Sequence, residues 1–146
     1  MKILQAMAGA EYGGAEEFFV RLAIALNDLD IQQRVVIREN EMRARRLRAG
    51  GIEPTELRFG GIFDVVSPWQ MKRQLNELEP DIVLTWMNRA TKMCPRDNNF
   101  IHVGRLGGYY NLKYYEHCDH LIANTQDIAG YLVKNGWEED KVHYLP

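Results

Sequence analysis

Short β-type runs alternate with longer helical patterns from one end of this 146-residue sequence to the other. Such alternation buries both kinds of segment only in βαβ units, whose helices cover the faces of a mostly parallel sheet. Strands are predicted at Lys2 to Ala8, Gln33 to Arg38, Thr55 to Phe59, Ile82 to Trp86, Phe100 to Arg105, His120 to Ala123 and Val142 to Leu145. The first helix is predicted from near Gly14 to about Asp28. Within it, Ala15, Phe18, Phe19, Leu22, Leu26 and Leu29 recur at three- and four-residue steps as an apolar stripe facing the sheet. The fold expected is therefore α/β: a Rossmann-like three-layer domain on a sheet of about seven strands.

The punctuation agrees with the periodicity. In Ser67-Pro68-Trp69-Gln70 a Ser cap precedes Pro at the first helical position and Gln three residues after the cap. That helix buries Met71, Leu75 and Leu78, and Pro80 ends it. Asn124-Thr125 caps a helix carrying Ile128, Leu132 and Val133, and Gly136 stops it. No repeat, low-complexity stretch or linker interrupts residues 1–146, and 46% apolar content supports one domain with its own core. Val142-His143-Tyr144-Leu145-Pro146 reads as a strand and a stop with nothing after it, so a domain boundary is expected there.

A formal charge of -2 gives no global field to attract nucleic acid. No apolar run is long enough to span a bilayer, and the N-terminus meets glycines and a glutamate too early for a signal peptide. A cytoplasmic location is expected, in solution or peripheral on a membrane. Cys94 and Cys118 form no metal-ligand spacing with each other or with His102, His117, His120 and His143, so no metal site is expected.

In an open parallel sheet, ligands sit beyond the carboxyl ends of the strands. Four segments there carry chemistry. Gly9-Ala10-Glu11-Tyr12-Gly13-Gly14-Ala15-Glu16-Glu17 opens the first helix. Its glycines let backbone approach a ligand, and a helix N-terminus attracts an anion such as a diphosphate. A purely steric need for glycine at a βα turn explains the same residues. The spacing matches neither the dinucleotide Gly-x-Gly-x-x-Gly nor a P-loop.

The second segment holds Trp86, Asn88 and Arg89. An indole can stack on a sugar while Asn and Arg bond hydroxyls and anions; equally, Trp86 can be core and Asn88 a cap. The third runs from Val103 to Tyr115 and gathers Arg105, Gly107, Gly108, Tyr109, Tyr110, Lys113, Tyr114 and Tyr115. So many hydrogen-bonding groups in one loop point to binding, with Arg105 and Tyr109 foremost, whereas Tyr114 and Tyr115 also suit a helix packed on the sheet. The fourth is Arg38, Arg43, Arg45, Arg46 and Arg48. It reads as a solvated helix face, or else as a dock for anionic lipid.

Three landmarks bear a resemblance to a known family: the opening strand with Tyr12-Gly13-Gly14-Ala15-Glu16, then Glu79-Pro80-Asp81-Ile82-Val83, then Cys118-Asp119-His120-Leu121-Ile122-Ala123-Asn124-Thr125 before a helix. Over its whole length the chain resembles the N-terminal, acceptor-binding domain of a family 4, GT-B-type retaining glycosyltransferase, the group that builds bacterial lipopolysaccharide cores and other surface glycans. The resemblance implies a two-domain enzyme whose other lobe, with the family's Glu-x7-Glu donor motif, is absent from this chain, leaving the chain alone inactive. It implies a UDP-, GDP- or ADP-sugar donor, a glycan or glycolipid acceptor, and no permanently bound cofactor.

By the same resemblance Gly13 and Gly14 approach the donor diphosphate, and Glu16 or Glu17 positions substrate. Trp86, Asn88 and Arg89 line the acceptor side, where Tyr12, Gly107, Gly108, Tyr109, Tyr110 and Lys113 are also expected. Many relatives carry a His after the fifth strand; here Arg105 or Leu106 stands nearest, and Arg105 is expected to act with Glu16 in catalysis. Two other classes fit the bare pattern less well. A flavodoxin-like phospho-acceptor module would cluster its aspartates, and Asp64, Asp81, Asp97 and Asp119 are not clustered; a nicotinamide-binding domain would carry the glycine fingerprint.

Overall fold

The computed structural model describes residues 1–97 and 99–146. Its strands are β1 (Lys2–Met7), β2 (Gln32–Arg38), β3 (Thr55–Leu57), β4 (Ile82–Trp86), β5 (Ile101–Leu106), β6 (His120–Ala123) and β7 (Val142–Tyr144). Between them run helices α1 (Gly14–Asn27), α2 (Glu41–Ala49), α3 (Val66–Leu78), α4 (Met87–Met93) and α5 (Gln126–Lys134), with 3-10 turns at Leu112–Tyr114 and Glu139–Lys141. The sheet order is β3-β2-β1-β4-β5-β6-β7 and every pairing is parallel. The expected three-layer α/β architecture is therefore present.

Alternation along each strand divides the core between the two faces. Leu4, Ala6, Val36 and Val83 face α3 and α4, packing on Met71, Leu75, Leu78 and Ala90. Met7, Val35, Ile37 and Trp86 face α1 and α2, packing on Phe19, Val20, Ala23 and Leu47. A third cluster joins Leu106, Tyr115 and Leu121 to Ile128 and Leu132 of α5.

The strand order reverses direction at the β1–β4 junction, where Met7 pairs with Trp86 at the strand ends. That junction is the switch point of an open sheet, and its carboxyl edge opens into a crevice between diverging loops. The site is built there.

Three local expectations are corrected. The buried face of α1 is Glu16, Phe19, Val20 and Ala23, a run at i, i+3, i+4 and i+7 whose first member is an acid. Ala15, Phe18, Leu22 and Leu26 flank it half-buried, while Leu29 lies past the helix end and is exposed. Ser67 is not the cap of α3: the helix starts at Val66, and Asp64 accepts from the Val66 and Ser67 N–H groups at 3.1 and 3.0 Å. An ionised carboxylate is the stronger acceptor, so Ser67 turns inward and accepts from the Phe59 N–H instead. On α5, Ile128 and Leu132 are buried but Val133 is exposed.

Candidate functional site

The β1–α1 loop is braced from two sides through one peptide unit. The Ala10 N–H donates to Glu16 Oε1 at 2.8 Å, and the Ala10 carbonyl accepts from Arg43 Nη2 at 2.6 Å. Arg43 reaches in from α2 and is buried; burial draws its pKa below the usual guanidinium range, and Glu16 opposes that shift. The Glu16 carboxylate lies inside the curl of its own loop. A Cβ on Gly9 would collide with Glu16 Oε1 and press on Met87, and one on Gly13 would collide with Glu16 Oε2. Gly9 and Gly13 are thus glycines because the acid occupies the space.

Gly14 differs. A Cβ there meets nothing within 4 Å, and no side chain caps the helix at Gly13, so the α1 N-terminus stays open. Its free N–H groups carry the positive end of the helix dipole.

Arg105, at the end of β5, completes this corner. It is only 4% exposed, and its guanidinium lies 4.7 Å from the Phe18 ring centroid and 4.6 Å from that of Trp86. Among the described residues no carboxylate pairs with it, and its Nε is buried without a hydrogen-bond partner. Burial lowers its pKa from the usual guanidinium value, while nearby Tyr110 acts the other way. Tyr110 is in turn pushed up by burial and by Glu16, and eased down by Arg105. These shifts record Glu16, Tyr110 and Arg105 as electrostatic neighbours.

Of the two readings open for Trp86, the structure takes the core one in place of the sugar platform. Its ring is wholly buried, Phe18 and Phe19 pack edge-on at 5.8 and 5.4 Å, and Nε1 donates to Gln5 Oε1 at 3.1 Å. With Arg105 stacked on it, no sugar can reach its ring. Its contribution is to hold a cation in place.

Glu17, on the rim of the cleft with Gly13 and Glu16, is gripped through both its oxygens by Arg46 at 2.6 and 2.8 Å, which clamps α1 to α2. The arginine run is engaged for the most part within the protein. Arg43 is buried on the Ala10 carbonyl, Arg45 pairs with Glu41, Arg46 with Glu17, and Arg48 with Glu53 and Glu56, so that among the described residues Arg38 and Arg43 have no ion pair and only Arg38 of these two is exposed. A run so neutralised offers little to an anionic surface.

The remaining candidates separate. Gly107 and Gly108 turn beside Tyr110, whose ring atoms lie 3.3 Å from where a Gly108 Cβ would stand. Tyr109 leans away, donating to Asp127 and packing edge-on to Tyr131 at 5.3 Å. Tyr12 is exposed and reaches Met42 Sδ at 3.2 Å. Asn88 Oδ1 accepts from the buried Tyr115 hydroxyl at 2.8 Å, Arg89 donates to the Phe59 carbonyl at 3.2 Å, and the Lys113 ammonium stands over Tyr114 at 4.9 Å. Asn88 and Arg89 line a separate groove of about 520 Å³ with Gly60, Gly61, Ile62 and Lys92. The structure therefore gathers Tyr12, Gly13, Glu16 and Glu17 around one small cleft at the start of α1, sets Tyr110 and Arg105 beside Glu16 near the switch point, and places Asn88 and Arg89 on an adjacent groove. Tyr109 and Lys113 make their contacts elsewhere, with Asp127 and Tyr114.

Four contributors were not predicted. Gln5 orients Trp86, Phe18 forms the second face against Arg105, and Arg43 braces the loop. Asn124 is the fourth. Thr125 caps α5 by accepting from the Ile128 N–H at 3.1 Å, and Asn124 keeps a buried Oδ1 with no partner. Its amide nitrogen lies 3.8 Å from where a Gly107 Cβ would stand, beside the Tyr110 turn. The signal lay in two adjacent polar residues at a strand end, of which one helix cap needs only one.

Known proteins share this fold and, in part, this sequence. A family model described as Glycosyltransferase Family 4 matches residues 12–146. The lipopolysaccharide core biosynthesis glycosyltransferase LpsD of Rhizobium meliloti (strain 1021) is 33% identical over 96% of this chain and 41% of its own length. LpsE of the same organism is 29% identical over 88% of this chain and 38% of its own. The chain thus spans about two fifths of the length of these curated relatives. Among solved structures, Anabaena Alr3699/HepE in complex with UDP superposes with TM-score 0.73 at 14% identity, covering 99% of this chain and 43% of that one. The UDP-GlcNAc 2-epimerase of Neisseria meningitidis bound to UDP-GlcNAc gives TM-score 0.72 at 17% identity, covering 99% and 45%. These likenesses establish the fold as one Rossmann-like half of a GT-B architecture.

Proposed function

This chain belongs to glycosyltransferase family 4, and from that premise we propose that it is the acceptor-side half of a retaining enzyme that moves a hexose from a nucleotide sugar to a cell-envelope glycan or glycolipid such as lipopolysaccharide core. A second α/β lobe carries most of the donor site, and the chain by itself turns over nothing. The donor is a UDP-, GDP- or ADP-sugar; the UDP and UDP-GlcNAc named for the solved relatives favour UDP. LpsD and LpsE, named for core biosynthesis, support the acceptor class. The reaction then runs at the cytoplasmic side of the membrane.

Arg105 carries the reading. As the bond from the anomeric carbon to the nucleoside diphosphate breaks, negative charge builds on the leaving oxygens. A cation already stripped of water, and fixed between Phe18 and Trp86, meets that charge without reorganising. The open N-terminus of α1 at Gly13 and Gly14 adds backbone donors from the neighbouring wall. Glu16, bonded to Ala10, shapes the loop and helps to keep Tyr110 protonated. Its role is positioning.

The test uses the enzyme in which this domain is joined to its second lobe. Arg105→Gln should lower kcat on the order of 10²-fold, the range for loss of one charge-stabilising donor, with Arg105→Lys recovering part of it. Turnover of Arg105→Gln within twofold of wild type would overturn the assignment.

A further inference from the structure

The loop between β3 and α3 holds apolar side chains away from the protein. Ile62 is 88% exposed, Phe63 93%, Val65 74% and Trp69 61%, with Val66 beside them. The segment is not slack. Asp64 accepts from the N–H groups of Gly60 at 2.8 Å, Val66 at 3.1 Å and Ser67 at 3.0 Å, and from the Ser67 hydroxyl, while its own N–H donates to the Gly61 carbonyl at 3.0 Å. These bonds hold the Asp64 carboxyl down at a pKa of about 2, so the brace persists at any physiological pH. A tightly bonded turn that presents Ile62 and Phe63 almost wholly to water loses hydrophobic stabilisation unless something covers them.

The surroundings say what covers them. Arg58 shares a groove with Phe63, Val65 and Val66; Arg89 and Lys92 face Ile62 and Pro68 across the 520 Å³ groove; Lys72 follows Trp69 by three residues on α3. None of these four cations has a carboxylate partner among the described residues, in contrast to the arginines of α2. Of the acids lining the Arg58 groove, Asp64 is engaged within the turn and Glu56 with Arg48 and the Asn40 N–H, so the four cations face one remaining carboxylate, Glu39. A protruding apolar wedge flanked by unpaired cations fits a bilayer better than a protein partner. Acyl chains need no matching surface, indole and phenyl rings favour the interfacial layer, and Arg and Lys extend to headgroup phosphates.

We propose that Ile62, Phe63, Val65, Val66 and Trp69 insert into the interfacial layer of an anionic membrane while Arg58, Lys72, Arg89 and Lys92 bind its headgroup phosphates. The membrane contact thus lies at the β3–α3 loop, not on α2. This assignment stands independently of the glycosyltransferase reading.

Co-sedimentation of the chain with phosphatidylcholine vesicles containing 30% phosphatidylglycerol (about a third anionic lipid, enough to draw clustered cations) tests it. Partitioning should exceed that onto pure phosphatidylcholine, and the Trp69 emission should shift to the blue, a shift that Trp69→Phe removes. Ile62→Ser with Phe63→Ser should cut partitioning on the order of 10²-fold, since each side chain leaves apolar surroundings, while Arg45→Ser with Arg48→Ser leaves it within twofold. Because the altered loop side chains are exposed, an unchanged melting temperature will verify folding. Partitioning unaffected by the loop substitutions overturns the proposal. So does a wild-type dimer in sedimentation equilibrium that the same substitutions dissolve, because a second copy would then be the cover.

Discussion

His102 makes the stability of this domain fall as the solution is acidified, in a pH window that no other shifted group shares. The ring is buried between β4 and β6, with Nε2 at 2.9 Å from Thr85 Oγ1 and the Cys118 sulfur 3.8 Å from Nδ1. Thr91 donates to the Met87 carbonyl, so the chain that satisfies every group runs from His102 Nε2–H to Thr85, and from Thr85 to Thr91. A neutral imidazole fits that chain. Burial drives the His102 pKa from 6.5 to about 4, with Asp119 pulling up and His117 pulling down. The depressed folded value means that the unfolded chain binds the proton more readily. The stabilisation is therefore complete above pH 6.5 and is lost progressively as pH falls toward 4.

A shift of this size corresponds to about 3 kcal/mol, of which about 2.5 kcal/mol is lost between pH 8 and pH 4.5. Glu17, Glu53 and Glu77 have carboxyls held below 4.5, and Asp64 lies lower still, so their contributions vanish only under more acid conditions. Urea unfolding at pH 8, 6.5, 5.5 and 4.5 reads the loss directly as a change in midpoint at constant slope. In His102→Gln, which keeps a donor for Thr85, the curve should be nearly flat over that interval. A flat wild-type curve, or an equal loss in His102→Gln, would refute the reasoning.

Two other expectations separate structure from function at the same corner. In the isolated chain Gly13→Ala should cost about 1–3 kcal/mol in a thermal or urea melt, because its Cβ must expel the Glu16 carboxylate from its bond to Ala10. Gly14→Ala should leave stability within about 0.5 kcal/mol because its Cβ meets open space. In the two-lobed enzyme Gly14→Val should depress turnover strongly, and normal turnover would show that nothing approaches α1 there. Burial pushes the Cys94 thiol up to about 12 and raises that of Cys118 as well, so the thiolate fraction of Cys94 at pH 8 is ~10⁻⁴. Neither cysteine should react with Ellman's reagent until urea unfolds the chain; stoichiometric labelling under native conditions would contradict their placement.

The alternation of short apolar runs with helical patterns by itself determined a three-layer domain on a mostly parallel sheet of about seven strands, because the residue period decides which segments can share a sheet; that every pairing is parallel is seen in the structure. It also located the loops at the strand ends, and three landmarks placed the chain among glycosyltransferases before any coordinate. What periodicity could not decide was the destination of each polar side chain. Glu16 is expected from the resemblance to meet substrate, and only the fold shows its carboxylate turned inward against Ala10. Trp86 and Arg105 lie nineteen positions apart in sequence and become stacked because β4 and β5 pair in register at those two residues. The arginines of α2 read as one basic face until acids from α1, β3 and the turn before it neutralise most of it. Pairing partners are remote in sequence, so burial and charge compensation emerge only once the strands have set the distances between them.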